Sequence, residues 1–165
     1  MKPHIHTITE LAIFTAIAFI FSYIESLFPP FAAVPGIKLG ISNIVVLFAL
    51  YRLDKTSAVF IMLIKVIVSS LLFSGINVMI YSLGGGILSV LAMSIGKKAG
   101  FGIIGVSMLG GIFHNMGQLA AAAIMLGSTA VFYHMPVLIV SGIILGSVTG
   151  YVCKTVIARI GSVRH

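Results

Sequence analysis

The 165 residues are 59% apolar and only 8% Asp, Glu, Lys or Arg, with a mean hydropathy of +1.21 and a formal net charge of +7. A soluble domain carries roughly 25% charged residues, and a chain of 17.4 kDa cannot hide this much apolar surface from water. A soluble globule, a disordered tail and a secreted disulfide scaffold are thereby excluded, and Cys153, the single cysteine, rules out an internal disulfide or a cysteine-built metal cluster.

A helix rises about 1.5 Å per residue and the hydrocarbon core is about 30 Å thick, so each crossing takes roughly 20 apolar residues. The first apolar stretch, residues 7–28, is closed by Pro29-Pro30. It is too long for the apolar region of a signal peptide and is expected to remain as a span. Residues 37–53 follow, closed by Arg52-Leu53-Asp54-Lys55, then 57–74 up to Gly75, and 76–96 up to Lys97-Lys98. A fifth stretch, 101–126, stops at Gly127-Ser128. The sixth, 136–153, opens on Pro136, a residue suited to a first helical turn, and exits at Lys154. The expected fold is all-α: a polytopic membrane protein forming a bundle of six transmembrane helices, one integral membrane domain over residues 1–165.

The cations orient it. Lys2, Arg52, Lys55, Lys97, Lys98, Lys154, Arg159 and Arg164 all fall on one side if the helices alternate, and the opposite connections (29–36, 75 and 127–135) contain no Lys or Arg. The positive-inside rule then makes both termini cytoplasmic, in a multi-pass protein of the cell membrane. The net charge is a topology signal, and no nucleic-acid partner is expected.

Small residues let membrane helices approach closely. Gly142, Gly146 and Gly150 share one face of the sixth span, Gly117 and Ala121 repeat the spacing on the fifth, and Ala12 and Ala16 do so on the first. Internal packing is the ordinary reading of such pairs; the Ala12/Ala16 face is the one set aside as a docking surface. Gly84-Gly85-Gly86 inside the fourth span is either a helix break or a tight crossing.

Few residues are out of place in lipid. Glu25 lies near the outer end of the first span and Lys38 opens the second, with Asn43 deeper; a Glu25–Lys38 staple between helix ends is one reading of that pair. Lys65 sits near the middle of the third span and Asn77 begins the fourth. His114, Asn115 and Gln118 share one face of the fifth. An ionisable group near the bilayer centre costs about 3 kcal/mol or more unless it is paired or faces a cavity. Lys38, Asn43, Lys65, Asn77, His114, Asn115 and Gln118 are therefore the candidate substrate-binding residues, against the plainer reading of interhelical hydrogen-bond glue. An outward pocket lined by Lys38, Lys65 and amides favours a small solute with an anionic or acceptor-rich group.

Catalysis is not expected. Gly96-Lys97 lacks the spacing of a Walker A loop. Asp54 is the only aspartate, so no acidic pair is available to hold Mg²⁺ on a diphosphate, and a Ser-His-Asp set with His114 is not credible. His4-x-His6 lacks further ligands, so neither a metal nor a cofactor is expected.

Residues 30–45, Pro-Phe-Ala-Ala-Val-Pro-Gly-Ile-Lys-Leu-Gly-Ile-Ser-Asn-Ile-Val, resemble the signature of the Gx transporter family, also labelled heptaprenyl diphosphate synthase component I. Residues 85–89 (Gly-Gly-Ile-Leu-Ser) and 110–119 (Gly-Gly-Ile-Phe-His-Asn-Met-Gly-Gln-Leu) are similar to its other two motifs. In size and layout that family resembles the substrate-binding S components of energy-coupling-factor vitamin transporters. The resemblance implies a small-molecule substrate, a coupling transmembrane subunit docked on Ala12-x-x-x-Ala16, and two ATPases. Two other readings stand beside it: a non-catalytic membrane accessory subunit of polyprenyl diphosphate or menaquinone synthesis, and a membrane scaffold of an electron-transfer assembly.

Overall fold

The structure, a computed structural model, describes residues 5–27 and 42–163. Its described residues form six α-helices: α1 (Ile5–Leu27), α2 (Asn43–Arg52), α3 (Lys55–Ser69), α4 (Ile76–Lys98), α5 (Ile103–Leu126) and α6 (Met135–Val163). Asp54 starts α3 by accepting a hydrogen bond from the backbone N–H of Ser57 at 2.7 Å, filling one of the donors that a helix start leaves open. A π-helical turn, Ser70–Ser74, extends α3 to Gly75, whose φ of +83° suits glycine and turns the chain into α4. Gly127, at φ +59°, ends α5 in the left-handed conformation. A short 3-10 segment, Thr129–His134, then leads into α6, with Pro136 in its first turn.

Five of these segments are long and apolar enough to cross a membrane: 8–27, 55–74, 76–98, 103–126 and 129–160. The second expected span, 37–53, falls within the described residues only from 42 onward. Over the described residues its helix runs for only ten residues, Asn43–Arg52, which at 1.5 Å per residue covers about half the hydrocarbon thickness. Its position sets its surroundings. Val45 to Leu50 are each no more than 6% exposed, packed among α1, α3, α4 and α6, so α2 has little lipid surface to match. It is the centre of the bundle, and the core cluster of Val46, Leu47, Ala49, Ile61 and Val66 is built around it. The sixth span also runs past its expected exit at Lys154, staying helical to Val163. Charged residues end a membrane crossing without breaking a helix, and from 151 to 160 all but Cys153 and Ile157 are exposed.

The glycines separate the bundle into two qualities of contact. Gly84-Gly85-Gly86 is a continuous part of α4, so the tight crossing is the correct alternative: Gly84 lies on the backbone of Gly117, and Gly85 on His114 and Gln118 of α5. Gly142, Gly146 and Gly150 press α6 onto Gly111, Met108 and Ile104 of α5 in the same way. Helices α4, α5 and α6 thus meet backbone on backbone. Helix α1 is held instead by Ala18, the Phe14–Phe48 ring pair (5.1 Å) and the Phe19 and Tyr23 contacts with Phe73 (5.6 and 5.3 Å). Ser22, Ser94, Ser147 and Thr155 each donate to the carbonyl four residues earlier, so these hydroxyls need no partner from another helix.

The cationic loop residues gather at one end. Lys97, closing α4, donates to the carbonyl of Leu50 at 2.6 Å and lies 4.8 Å from the centre of the Tyr51 ring, both at the end of α2. Gly150 of α6 lies beside Ile104 at the start of α5, which brings Lys154 toward the same end.

Candidate functional site

The polar residues form a chain that begins where α2 begins. Ser42 donates from its hydroxyl to Glu25 of α1 at 2.5 Å. Lys65 of α3, only 6% exposed, donates to Ser42 Oγ at 3.0 Å and to Asn43 Oδ1 at 2.8 Å. Three helices are clipped together at this point by a carboxylate, a hydroxyl, an amide and an ammonium. The arrangement explains how a lysine lies so far into an apolar helix: its stem runs along the bundle and its charge is taken up by oxygen atoms inside it.

Asn43 is also a wall of a small cavity bounded by α2, α4, α5 and α6, with a volume of about 40 Å³. His114 and Asn115 of α5, Ser89 of α4, Ser107 of α5 and Thr149 of α6 supply its other polar groups. Asn115 is fixed from behind: its Nδ2 donates to the carbonyl of Leu138 at 2.7 Å and to Ser141 Oγ at 3.2 Å, both on α6. Ser107 and Thr149 are hydrogen-bonded to each other at 2.9 Å across the α5–α6 contact. The glycines make this possible, since Gly110, Gly111, Gly142 and Gly146 all line the cavity where bulkier residues would close it.

Four of the expected site residues are therefore connected. Asn43, His114 and Asn115 face one cavity, and Lys65 is one hydrogen bond behind Asn43. Gln118 is buried on the same face of α5, one turn further on, with its Cγ against Gly85. Asn77 is exposed at the start of α4 and lines neither this cavity nor the groove described below. Lys38, and with it the Glu25–Lys38 staple, lies outside the described residues. The sequence reading missed Ser42, Ser89, Ser107, Ser141 and Thr149. Hydroxyls are common in apolar helices, where most bond to their own backbone, so no spacing distinguishes these from the rest.

A second depression lies between α1 and α3. It is a groove of about 550 Å³ whose walls are almost wholly apolar, including Leu11, Phe19, Phe60 and Ile64, with Lys65 at one edge. Ala12 and Ala16 are exposed and form its α1 side. Their small side chains are what leaves the space.

Among the described residues no group of three or more His, Cys, Asp or Glu side chains stands close enough to hold a metal ion. The family model described as heptaprenyl diphosphate synthase component I matches residues 14–156. No curated protein and no solved structure gives a significant match.

Proposed function

The chain belongs to the heptaprenyl diphosphate synthase component I family, and from that premise we propose that it is a multi-pass subunit of the cell membrane that binds a small organic solute for uptake. The observation that carries this reading is the convergence of Asn43, His114 and Asn115 on one cavity inside an otherwise apolar bundle, with Lys65 held behind them. Interhelical glue alone needs hydrogen-bonded pairs; it does not need an open space between them. The cation-rich end faces the cytoplasm in this reading, with both termini, and the solute enters from the opposite end.

In this reading, which the resemblance to S components supports, the energy for uptake comes from partners, a coupling membrane subunit and two ATPases, and a chain without a Walker A loop is consistent with that division of labour. The groove beside Ala12 and Ala16 is the surface on which a partner helix would dock, because small residues there admit a second backbone. Gentle solubilisation from native membranes, followed by identification of co-purifying proteins and mass spectrometry of retained small molecules, tests the proposal. Recovery of ABC-type ATPases together with a retained solute is expected. Lys65→Met and Asn115→Leu should each lower solute retention at least tenfold, and retention unchanged in both would overturn the assignment of this site.

The family description favours a second reading, a non-catalytic membrane accessory subunit of polyprenyl diphosphate synthesis. The only aspartate, Asp54, is spent on the start of α3, and a diphosphate-binding metal pair needs two or more carboxylates. Any synthase chemistry would then belong to a soluble, aspartate-rich partner. Recovery of such a partner with no retained solute would select this reading.

A further inference from the structure

We propose that the cavity between α2, α4, α5 and α6 accepts an uncharged group carrying both a hydrogen-bond donor and an acceptor, of the carboxamide, ureido or hydroxyl class, and turns away carboxylates and phosphates. The proposal rests on the uptake reading and names the solute chemistry that this site selects. It departs from the anionic solute that Lys65 suggests in the sequence.

The hydrogen-bond inventory leads there. Asn43 receives Lys65 on Oδ1, which leaves its N–H groups as uncommitted donors at the cavity wall. Asn115 spends its N–H groups on Leu138 and Ser141, which leaves Oδ1 as the acceptor it can offer. Thr149 donates to the carbonyl of Leu145 at 2.9 Å, so the 2.9 Å contact between the two hydroxyls is a donation by Ser107, which keeps acceptor lone pairs for the cavity. Ser89 is buried there with a hydroxyl able to serve either way. Donors and acceptors therefore alternate around the space. A carboxylate or phosphate has acceptors only and would set its charge against the Asn115 and Ser107 oxygens.

Charge points the same way. Among the described residues no Asp, Glu, Lys or Arg lines the cavity, His114 is its one titratable wall residue, and the Lys65 ammonium is engaged by Ser42 and Asn43 on the far side of the Asn43 amide. An anion would enter a low-dielectric interior in which no described Lys or Arg lines the wall, whereas a neutral amide exchanges its water hydrogen bonds for equivalent ones, with the His114 imidazole among its partners. Size agrees as well. A water needs roughly 10–15 Å³ of such volume, so about 40 Å³ has room for roughly three waters or a group of that size. A neutral polar end of the solute would reproduce there the hydrogen bonds it makes with water.

The test needs no knowledge of the solute. In a Cys153→Ala background, Ser89→Cys is placed in membrane vesicles and its modification followed with two methanethiosulfonates of similar size. One carries a neutral hydroxyethyl group and the other an ethylsulfonate, and each rate is referenced to that reagent's rate with a free thiol. Ser107→Cys repeats the measurement in case the first variant fails to fold, and lipid-facing Ile144→Cys (58% exposed) reports reagent arriving through the bilayer. The expected result is neutral modification at position 89 or 107 well above the Ile144 control, with the sulfonate at least tenfold slower. A sulfonate as fast as the neutral reagent overturns the solute class and leaves the uptake reading standing. Modification by neither reagent above the control means that the cavity is not reachable from water, and overturns both.

Discussion

Gly111 offers the sharpest test of how the bundle is held together. A Cβ built on it would lie 2.4 Å from the carbonyl oxygen of Gly142, where about 3.0 Å is the closest that real Cβ atoms come. The obstacle is helical backbone two turns into α6, so no side chain can swing aside, and Gly111→Ala must push α5 and α6 apart by several tenths of an ångström. Overpacking of this kind costs about 1–3 kcal/mol, which outweighs the intrinsic helical advantage of alanine, about 1 kcal/mol. Gly105, on the same helix, is the internal control: its added Cβ would meet only Phe101 Cβ, at an ordinary 3.8 Å. Gly105→Ala keeps the helical advantage and meets no clash. The two variants should therefore differ by about 2 kcal/mol, close to 30-fold in the unfolding equilibrium. Reversible unfolding in mixed micelles, read by steric trapping or by SDS titration, measures that difference. If Gly111→Ala proves as stable as Gly105→Ala, the backbone-on-backbone account of α5 and α6 is wrong.

The other expectations can be read with the same unfolding assay. Gly86→Ala should lose less than Gly111→Ala despite a 2.5 Å approach, because the atom met is Met62 Sδ, in a flexible side chain that can turn away. Asp54→Ala removes the cap of α3 and should cost about 1 kcal/mol, most of it recovered in Asp54→Asn, which keeps an acceptor. Lys97→Met removes both the 2.6 Å hydrogen bond to Leu50 and the contact with the Tyr51 ring, for an expected loss of about 1–2 kcal/mol. Lys97→Met equal to the parent would show that α4 does not hold the end of α2 through this side chain.

Much of the fold was legible because lipid imposes simple rules. Apolar runs of about 20 residues, punctuated by Pro29-Pro30, Gly75, Lys97-Lys98 and Gly127, mark helix limits that the structure reproduces within a few residues for α1, α4 and α5. One environment and one boundary were not legible. The environment is that of α2, which is buried in protein, and an apolar run looks the same whether lipid or protein surrounds it. The exposed end of α6 continues past Lys154 because leaving the membrane and leaving the helix are separate events. At the site, Asn43, Lys65, His114 and Asn115 were visible as polar intruders, and Asn77 carried the same signal although it lies exposed at a helix start. Composition along a chain reports that a residue is unusual at a given depth, without reporting which way it faces.

Sequence by itself determined that this chain lives in a membrane as packed helices, because hydropathy and glycine spacing are local properties that the bilayer reads directly. Tertiary structure alone decided that Lys65 is satisfied by Ser42 and Asn43, and that donors and acceptors from four helices ring one small space. Those relations join residues far apart in the chain, through side-chain directions fixed only once α4, α5 and α6 have closed on each other around α2.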